Sequence, residues 1–391
     1  METYNLFSLN DYEPILWTCV NCYCGLCVEG CPAYFETRKE SFSARGLSQI
    51  ALELLRNGLK LQDIPDDVIY GCTECRWCEW NCSQNTPLKI KREGTRRTKV
   101  SGATMAELLR SAKVEEGLIP PVLRDILENL TKFGNPYGGT VEAKDRWVKD
   151  MDVENEKDTI LYVGSMVPYE ERATKMAEAL INVLKKAGVE FGMLGGKEGD
   201  SGALARMLGE EGLFLTMVEE NTKTFKENNI REVICLSPHD YDAFISYYPN
   251  LDIQFHHYTT FISELLKTGK IKITGKFNKN VIYHDPCYLG RRHEIYNAPR
   301  DILKSIPELE LREFKKSKEF SFCCGGGGPG LFYQPEDIRM NLTRLDQAKE
   351  KEAEIVAVAC PVCLNMLDDA VKTRNYEIAV MDIAEILERA L

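Results

Sequence analysis

The sequence predicts an α+β protein: a helical, cysteine-rich front followed by two copies of an α/β unit with a parallel sheet. Three observations carry this expectation. Nine of the 15 cysteines crowd into two clumps, residues 19–31 and 72–82, on either side of a stretch with helical periodicity. From residue 159 onward, short apolar runs alternate with helical stretches, the pattern of strands joined by crossover helices. That second region also repeats itself, and only its second copy carries cysteines at the matching places.

At 391 residues the chain has room for several domains. Its 44% hydrophobic and 28% charged content is that of an ordinary globular protein. A net charge of -11 argues against a nucleic-acid partner. No run of about 18 apolar residues predicts a membrane span. The polar start "METYNLFSLNDYEP" lacks the basic region of a secretory signal. Cysteines grouped at two- and three-residue intervals then read as metal ligands in a reducing compartment, so the expected location is cytoplasmic. One basic stretch, "KIKREGTRRTK" at 89–99, reads as a solvated helix face offsetting the adjacent thiolates, or as a patch for phosphate or an acidic partner.

The second clump, "CTECRWCEWNC", is a regular C-x2-C-x2-C-x3-C run. The first, "CVNCYCGLCVEGCP", becomes the same run if Tyr23 and Cys24 are struck out, so it holds one thiol too many. Two such runs bracketing the helix "ARGLSQIALELLRNGLK" form the signature of a two-cluster ferredoxin. Three thiolates at three-residue intervals wrap one loop around a cubane, and the fourth points away to the other cluster. The expected assignment is therefore crossed. Cys19, Cys24 or Cys22, Cys27 and Cys82 form cluster one; Cys72, Cys75, Cys78 and Cys31 form cluster two. The glycine after Cys24 relieves crowding and favours Cys24 over Cys22. Zinc fits less well, because its structural sites pair two C-x2-C knuckles. The expected domains are an N-terminal α-helical ferredoxin-like domain at 1–130 holding two cubane [4Fe-4S] clusters, and a linker at 131–158. A first α/β lobe at 159–275 and a second at 276–391 follow.

In the lobes, "TILYVG", "VEFGML" and "REVICLS" read as strands of the first copy, and "KNVIYHD" and "AEIVAVA" of the second. Each copy closes on a strand and helix, "IQFHHYTTFISELL" and "YEIAVMDIAEILERAL". Aligning the copies sets Ser237-Pro238 on Cys360-Pro361 and Asp240 on Cys363. Cys287, Cys323, Cys324, Cys360 and Cys363 follow strand ends, the edge where open α/β sheets bind ligands, and so read as a metal site. The run "GGGGPG" after Cys324 suits a backbone that approaches a bulky cofactor. Neither it nor "GGKEG" is placed as a nucleotide loop, so no flavin or nicotinamide is expected on this chain. His284 and Asp285 read either as a proton-delivering pair or as a loop cap that orients the site. His239-Asp240 reads as structural and Cys235 as a buried small hydrophobe. Arg291, Arg292 and His293 read as exposed basic residues, with an anionic substrate or partner as the alternative.

The stretch "YHDPCYLGR…IYNAPRDILKSIPELELREF…SFCCGGGG…ACPVC" resembles the cysteine-rich CCG domain of heterodisulfide reductases. With the two-cluster front, nearly the whole chain resembles the D-type component of heterodisulfide reductase and its relatives. The resemblance implies a non-cubane [4Fe-4S] cluster on Cys287, Cys323, Cys324, Cys360 and Cys363, the catalytic centre for disulfide reduction in that family. The first copy departs from the family, with Ser165, Gly195, Gly196, Ser237 and Asp240 near the vacated places. The implied function is an electron-transfer and catalytic subunit of a multi-subunit redox complex acting on a thiol/disulfide couple. The alternative is a pure electron relay for a flavoprotein, such as a 2-hydroxy-acid oxidase, an electron-transfer flavoprotein or a CoA-ester reductase system. Either needs other redox subunits, flavoprotein or membrane cytochrome b-like, the latter drawing the chain to the membrane surface.

Overall fold

The structure, a computed structural model, describes residues 9–82, 101–153 and 157–391. The basic stretch at 89–99 lies outside the described residues. The chain divides into two compact units. One comprises Met1–Asp125, Leu204–Gly212 and Gly325–Met340; the other comprises Ile126–Ala203, Leu213–Cys324 and Asn341–Leu391.

The first unit is helical. Its centre is the helix Ala44–Leu55, capped by Ser43, whose hydroxyl accepts from Gly46 N at 3.1 Å. Ser48, Ala51 and Leu52 are buried on one face, at i, i+3 and i+4, and Leu47 is buried beside Ala51 at i−4. That helix packs against Glu13–Val20 on one side and Gly102–Glu115 on the other. The three helices frame the cysteine loops. Pro32 opens the helix Pro32–Thr37 directly after Cys31, a position where its missing N–H costs nothing. A fully buried ion pair holds the second clump: Arg110 donates to Glu74 at 2.6 Å and to the carbonyls of Ile69, Cys72 and Met207. The glycine run belongs here as well. A Cβ on Gly328, whose φ is +57°, would stand 2.8 Å from the Cys72 carbonyl oxygen. The close approach is therefore to backbone.

The second unit holds two parallel sheets. The first has β1 (Thr159–Tyr162), β2 (Glu232–Cys235) and β3 (Gln254–His257) in that order. The second has β4 (Asn280–Tyr283), β5 (Glu310–Arg312), β6 (Ile355–Val358) and β7 (Ala379–Asp382), ordered β5-β4-β6-β7. β1, β2 and β3 therefore correspond to β4, β6 and β7. Strands such as "ILY" and "VIY" are buried throughout, as parallel strands covered on both faces must be. The expected strand "VEFGML" is reduced to a single bridge, Ile160 to Gly192, at the place where β5 stands in the second sheet.

The two lobes pack reciprocally. The helix after the last strand of each, Tyr258–Lys267 or Ile383–Glu388, lies on the first crossover helix of the other, Asn297–Lys304 or Glu171–Lys186. This is the arrangement of a two-fold dimer drawn within one chain. Arg172 bridges to Glu385 at 3.0 Å, and the Tyr258 hydroxyl donates to Asp382 at 2.8 Å.

The stretch expected as a linker contains a helix, Val141–Asp150, with Lys144, Trp147 and Val148 buried. Six charges in ten residues disguise it, but those three positions share one face at i, i+3 and i+4. Among the described residues no helix is long and apolar enough to cross a membrane.

Candidate metal centres

In the first unit the nine cysteines gather as two groups. Burial pushes Cys19 up to about 12, reinforced by Cys82, Cys27 and Cys22 and opposed by a hydrogen bond from Ser48. Burial likewise raises Cys27 to about 11, with Cys82 and Cys24 as charged neighbours. Cys82 thus stands among the thiols of the first clump. Conversely, burial raises Cys31 to about 12 beside Cys75, and Cys72 to about 12 beside Cys31. Cys78 is raised well above its usual value by burial, next to Glu79, Cys72 and Cys75. Cys31, Cys72, Cys75 and Cys78 line one small apolar cavity with Pro32, Phe42 and Leu47. Gly102 N donates to Cys78 Sγ at 3.2 Å. Thiols forced together in an apolar setting lose their protons only when a cationic centre takes up the charge, and iron–sulfur cores do so. Both groups fit such a centre. Cys22 Sγ and Cys24 Sγ lie 3.4 Å apart, so the irregular loop brings both sulfurs to the first group, with Cys24 the exposed one.

In the second lobe Cys323, Cys324, Cys360 and Cys363 meet at the edge beyond β4 and β6, and Cys287 lies in the loop after β4. Cys287 is 8% exposed, and Cys323, Cys324, Cys360 and Cys363 are more deeply buried. Cys360 is the N-cap of the helix Pro361–Arg374 and Cys363 sits in its first turn, where the helix dipole favours thiolate. Cys324 Sγ and Cys363 Sγ are 3.3 Å apart and share a proton. Cys363 keeps it: hydrogen bonds with Cys324 and Cys360, then burial, raise its thiol well above the usual value. Cys324 is held well below its usual value by Cys323, Cys363 and His284. Burial alone would raise Cys360, but the bond from Cys363 and the His239 ring bring it down to about 5. The ligand atoms of His284, Cys324 and Cys363 all lie within 4.8 Å of one another. A donor set of five buried sulfurs fits a metal–sulfur group.

His284 follows β4 and is 1% exposed. Arg344 Nε donates to its Nδ1 at 3.1 Å. A guanidinium only donates, so Nδ1 accepts, and the neutral ring carries its proton on Nε2 for Cys324. Burial lowers the His284 pKa and keeps it neutral. Burial likewise lowers Arg344 to about 9. Asp285 takes two bonds from Arg300, at 2.6 and 2.9 Å, and one from Lys318 N. It secures the loop and does not pair with His284.

The first lobe fills the equivalent edge with carboxylates. Glu198 accepts from Val163 N and Gly164 N, and from Lys144 Nζ at 2.7 Å. Ser165 donates to Asp200, and Ser201 donates to Asp240 at 2.5 Å. Burial and the neighbouring Asp200 raise Asp240 to about 7. Gly164 has φ +78°, and a Cβ there would lie 2.6 Å from Asp240 Oδ2. Counting from the paired tyrosines Tyr162 and Tyr283 puts Met166 at the place of Cys287, one residue beyond Ser165.

The cysteine-rich domain family CCG matches residues 162–239 and 281–368, and the 4Fe-4S dicluster domain family matches residues 15–86. The chain belongs to the CCG-domain iron–sulfur proteins. This CCG-domain protein is 32% identical to a probable iron-sulfur-binding oxidoreductase FadF of Bacillus subtilis, over 84% of this chain and 47% of that one. It is 28% identical to the EtfAB:quinone oxidoreductase of Syntrophomonas wolfei, over 100% of this chain and 61% of that one. It is 29% identical to the D component of the dihydromethanophenazine:CoB–CoM heterodisulfide reductase of Methanosarcina barkeri, over 100% of this chain and 97% of that one. The chain thus spans about half to three-fifths of the first two relatives. Its fold matches the crystal structure of a hypothetical protein from Helicobacter pylori at TM-score 0.62 and 12% identity, over 98% of this chain and 75% of that one.

Several residues of this CCG-domain protein differ from expectation. Arg291, Arg292 and His293 are not exposed. Arg291 donates to the Ser321 carbonyl at 2.7 Å, while Arg292 and His293 bind Asp242 of the first lobe at 2.8 and 2.9 Å. A lone basic triplet gives no sign of an acidic partner fifty positions away. Cys235 is fully buried at the end of β2, as its apolar setting implied. Arg344, Arg300 and Lys144 were missed, because nothing local marks a cation whose partner is distant in sequence.

Proposed function

We propose that this chain is an iron–sulfur electron-transfer and catalytic subunit of a larger redox complex, of the heterodisulfide reductase D type, acting on a thiol/disulfide couple. The observation that carries this is the second lobe's edge: Cys323, Cys324, Cys360 and Cys363 are buried together there, with Cys324 Sγ and Cys363 Sγ 3.3 Å apart, and Cys287 is buried in the loop after β4. On this reading Cys287, Cys323, Cys324, Cys360 and Cys363 hold a non-cubane four-iron cluster. Cys19, Cys24 or Cys22, Cys27 and Cys82 hold one cubane, and Cys72, Cys75, Cys78 and Cys31 the other. Iron–sulfur clusters supply one-electron transfer when bound. The rest is charge and proton management by the chain. Opening a disulfide takes two electrons and two protons and yields two thiols. His284 offers its Nε2–H toward sulfur, Arg344 fixes that tautomer, and the buried edge excludes bulk water. Whole-chain similarity to the D component of a heterodisulfide reductase supports the reading.

The second reading, a relay for a flavoprotein or quinone-linked partner, is favoured by the similarity to an EtfAB:quinone oxidoreductase across the whole chain. One experiment separates the two: anaerobic purification with co-purifying subunits, then iron and sulfide counts, EPR of the oxidised protein and a disulfide-reduction assay. About twelve irons per chain with disulfide reduction fits the first reading. About twelve irons without it, but with electron transfer to a flavin partner, replaces it with the relay.

A further inference from the structure

The emptied first lobe still sends one side chain into the thiol site. β2 ends at Cys235 and leads through Ser237 into the helix Pro238–Tyr247, the counterpart of the Cys360-headed helix in the second lobe. Ser237 and Asp240 occupy the register positions of Cys360 and Cys363, and between them stands His239. Its side chain is buried at 8% exposure, and its Nδ1 lies 3.7 Å from Cys360 Sγ. Its ring stacks on Tyr288, the residue after Cys287, with centroids 4.0 Å apart. Its backbone N–H donates to Ser237 Oγ at 3.2 Å, which fixes the turn.

The helix is anchored against the same segment a second time. Asp242, three residues on and therefore on the same face, binds Arg292 Nη1 at 2.8 Å and His293 Nε2 at 2.9 Å. Arg292 in turn lies over the Tyr288 ring at 3.9 Å. His239 is thus held between a stacking ring, a capped turn and a cross-lobe ion pair. Such a set of restraints aims a ring.

We propose that the first lobe is retained as a hydrogen-bond donor to the second lobe's cluster site, and that His239 is the positioning residue through which it acts, donating to the Cys360 sulfur. The inference rests on the reading that the five thiols hold an iron–sulfur cluster. A donor on a ligand sulfur stabilises the more negative, reduced state and raises the potential. Paired with His284 on Cys324, it puts one imidazole from each lobe on the thiol site, so each lobe still contributes to a site that only one of them ligates.

The test uses the full chain with its co-purifying subunits, carrying His239→Phe or His239→Gln. The readouts are iron and sulfide content, EPR of the oxidised third site, and its midpoint potential by redox titration. His239→Phe is expected to keep about twelve irons, to move the third-site midpoint to more negative values and to alter its EPR signal, with the cubane signals unmoved. His239→Gln, whose amide still donates, is expected to restore part of that shift. Full iron with an unmoved midpoint in His239→Phe overturns the proposal alone. Loss of third-site iron in that variant also overturns it, because His239 would then be a ligand. About eight irons in the unaltered chain would overturn the three-cluster reading and this inference with it.

Discussion

The two lobes share a sheet, a strand order and a Pro-headed helix, yet their edges carry opposite chemistry. In the second lobe Cys323, Cys324, Cys360 and Cys363 gather beyond β4 and β6, with Cys287 buried in the loop after β4. In the first, Glu198, Asp200 and Asp240 occupy the same edge, stitched to backbone N–H groups, two serines and Lys144. A bound cluster would tie the second lobe's loops together as a cross-link. Where the thiols are gone, the carboxylate network ties the loops instead. The parallel scaffold therefore accommodates either solution, and in the first lobe the buried polar groups at the edge are paired.

The largest test of the comparison is removal of a thiol that the first lobe lacks. On the proposed three-cluster reading, Cys363→Ser should cost about four of about twelve irons and the third EPR signal, leaving the cubane signals intact; loss of all three signals would show that the second lobe is needed for the whole fold. Next comes the first lobe's tie. Lys144→Met leaves Glu198 buried at 1% side-chain exposure without its cation, in a setting whose burial already raises its pKa, and should lower stability in urea by about 3–5 kcal/mol. A loss below about 1 kcal/mol would mean that the network is incidental. In the second lobe, Arg344→Met frees His284 Nδ1 and should cost about 1–3 kcal/mol while altering the third-site EPR line shape. An unchanged spectrum would remove the imidazole from the site's workings.

The smallest effect is a pH dependence confined to the first lobe. The fold raises Asp240 to about 7, so the fold favours its neutral form. Its contribution to stability is full below the ordinary carboxyl value of about 4 and is lost as pH rises through about 7. Asp240→Asn has no proton to lose. It should therefore gain stability over the unaltered chain at about pH 8, on the order of 1 kcal/mol after the amide's own fit is subtracted. That advantage should fade toward about pH 4. An equal difference at both pH values would contradict the assignment.

Legibility in the sequence followed range. The interval between Cys72, Cys75 and Cys78 is local, and local spacing survives folding unchanged. The duplication was equally plain, since "ILYVG" and "VIYHD" need only be written one above the other. The helix Val141–Asp150 was not visible as packed structure, because its charges match those of a solvated segment until Lys144 meets Glu198, fifty-four positions away. Arg292 and His293 were misplaced at the surface for the same reason, their partner Asp242 being fifty positions upstream.

Local spacing along the chain already declares the class of chemistry: thiols in ferredoxin spacing, a second set at one parallel-sheet edge, and a first copy stripped of its matching cysteines. The packing of distant elements chose the polar groups that attend those thiols. It turned His284 by way of Arg344, seated Lys144 on Glu198, and drew His239 from a lobe without ligands of its own to within 3.7 Å of Cys360. The reason is physical. Ligand spacing is set by a few adjacent dihedrals, whereas the partner of a buried polar side chain is set by whatever distant element the fold packs against it.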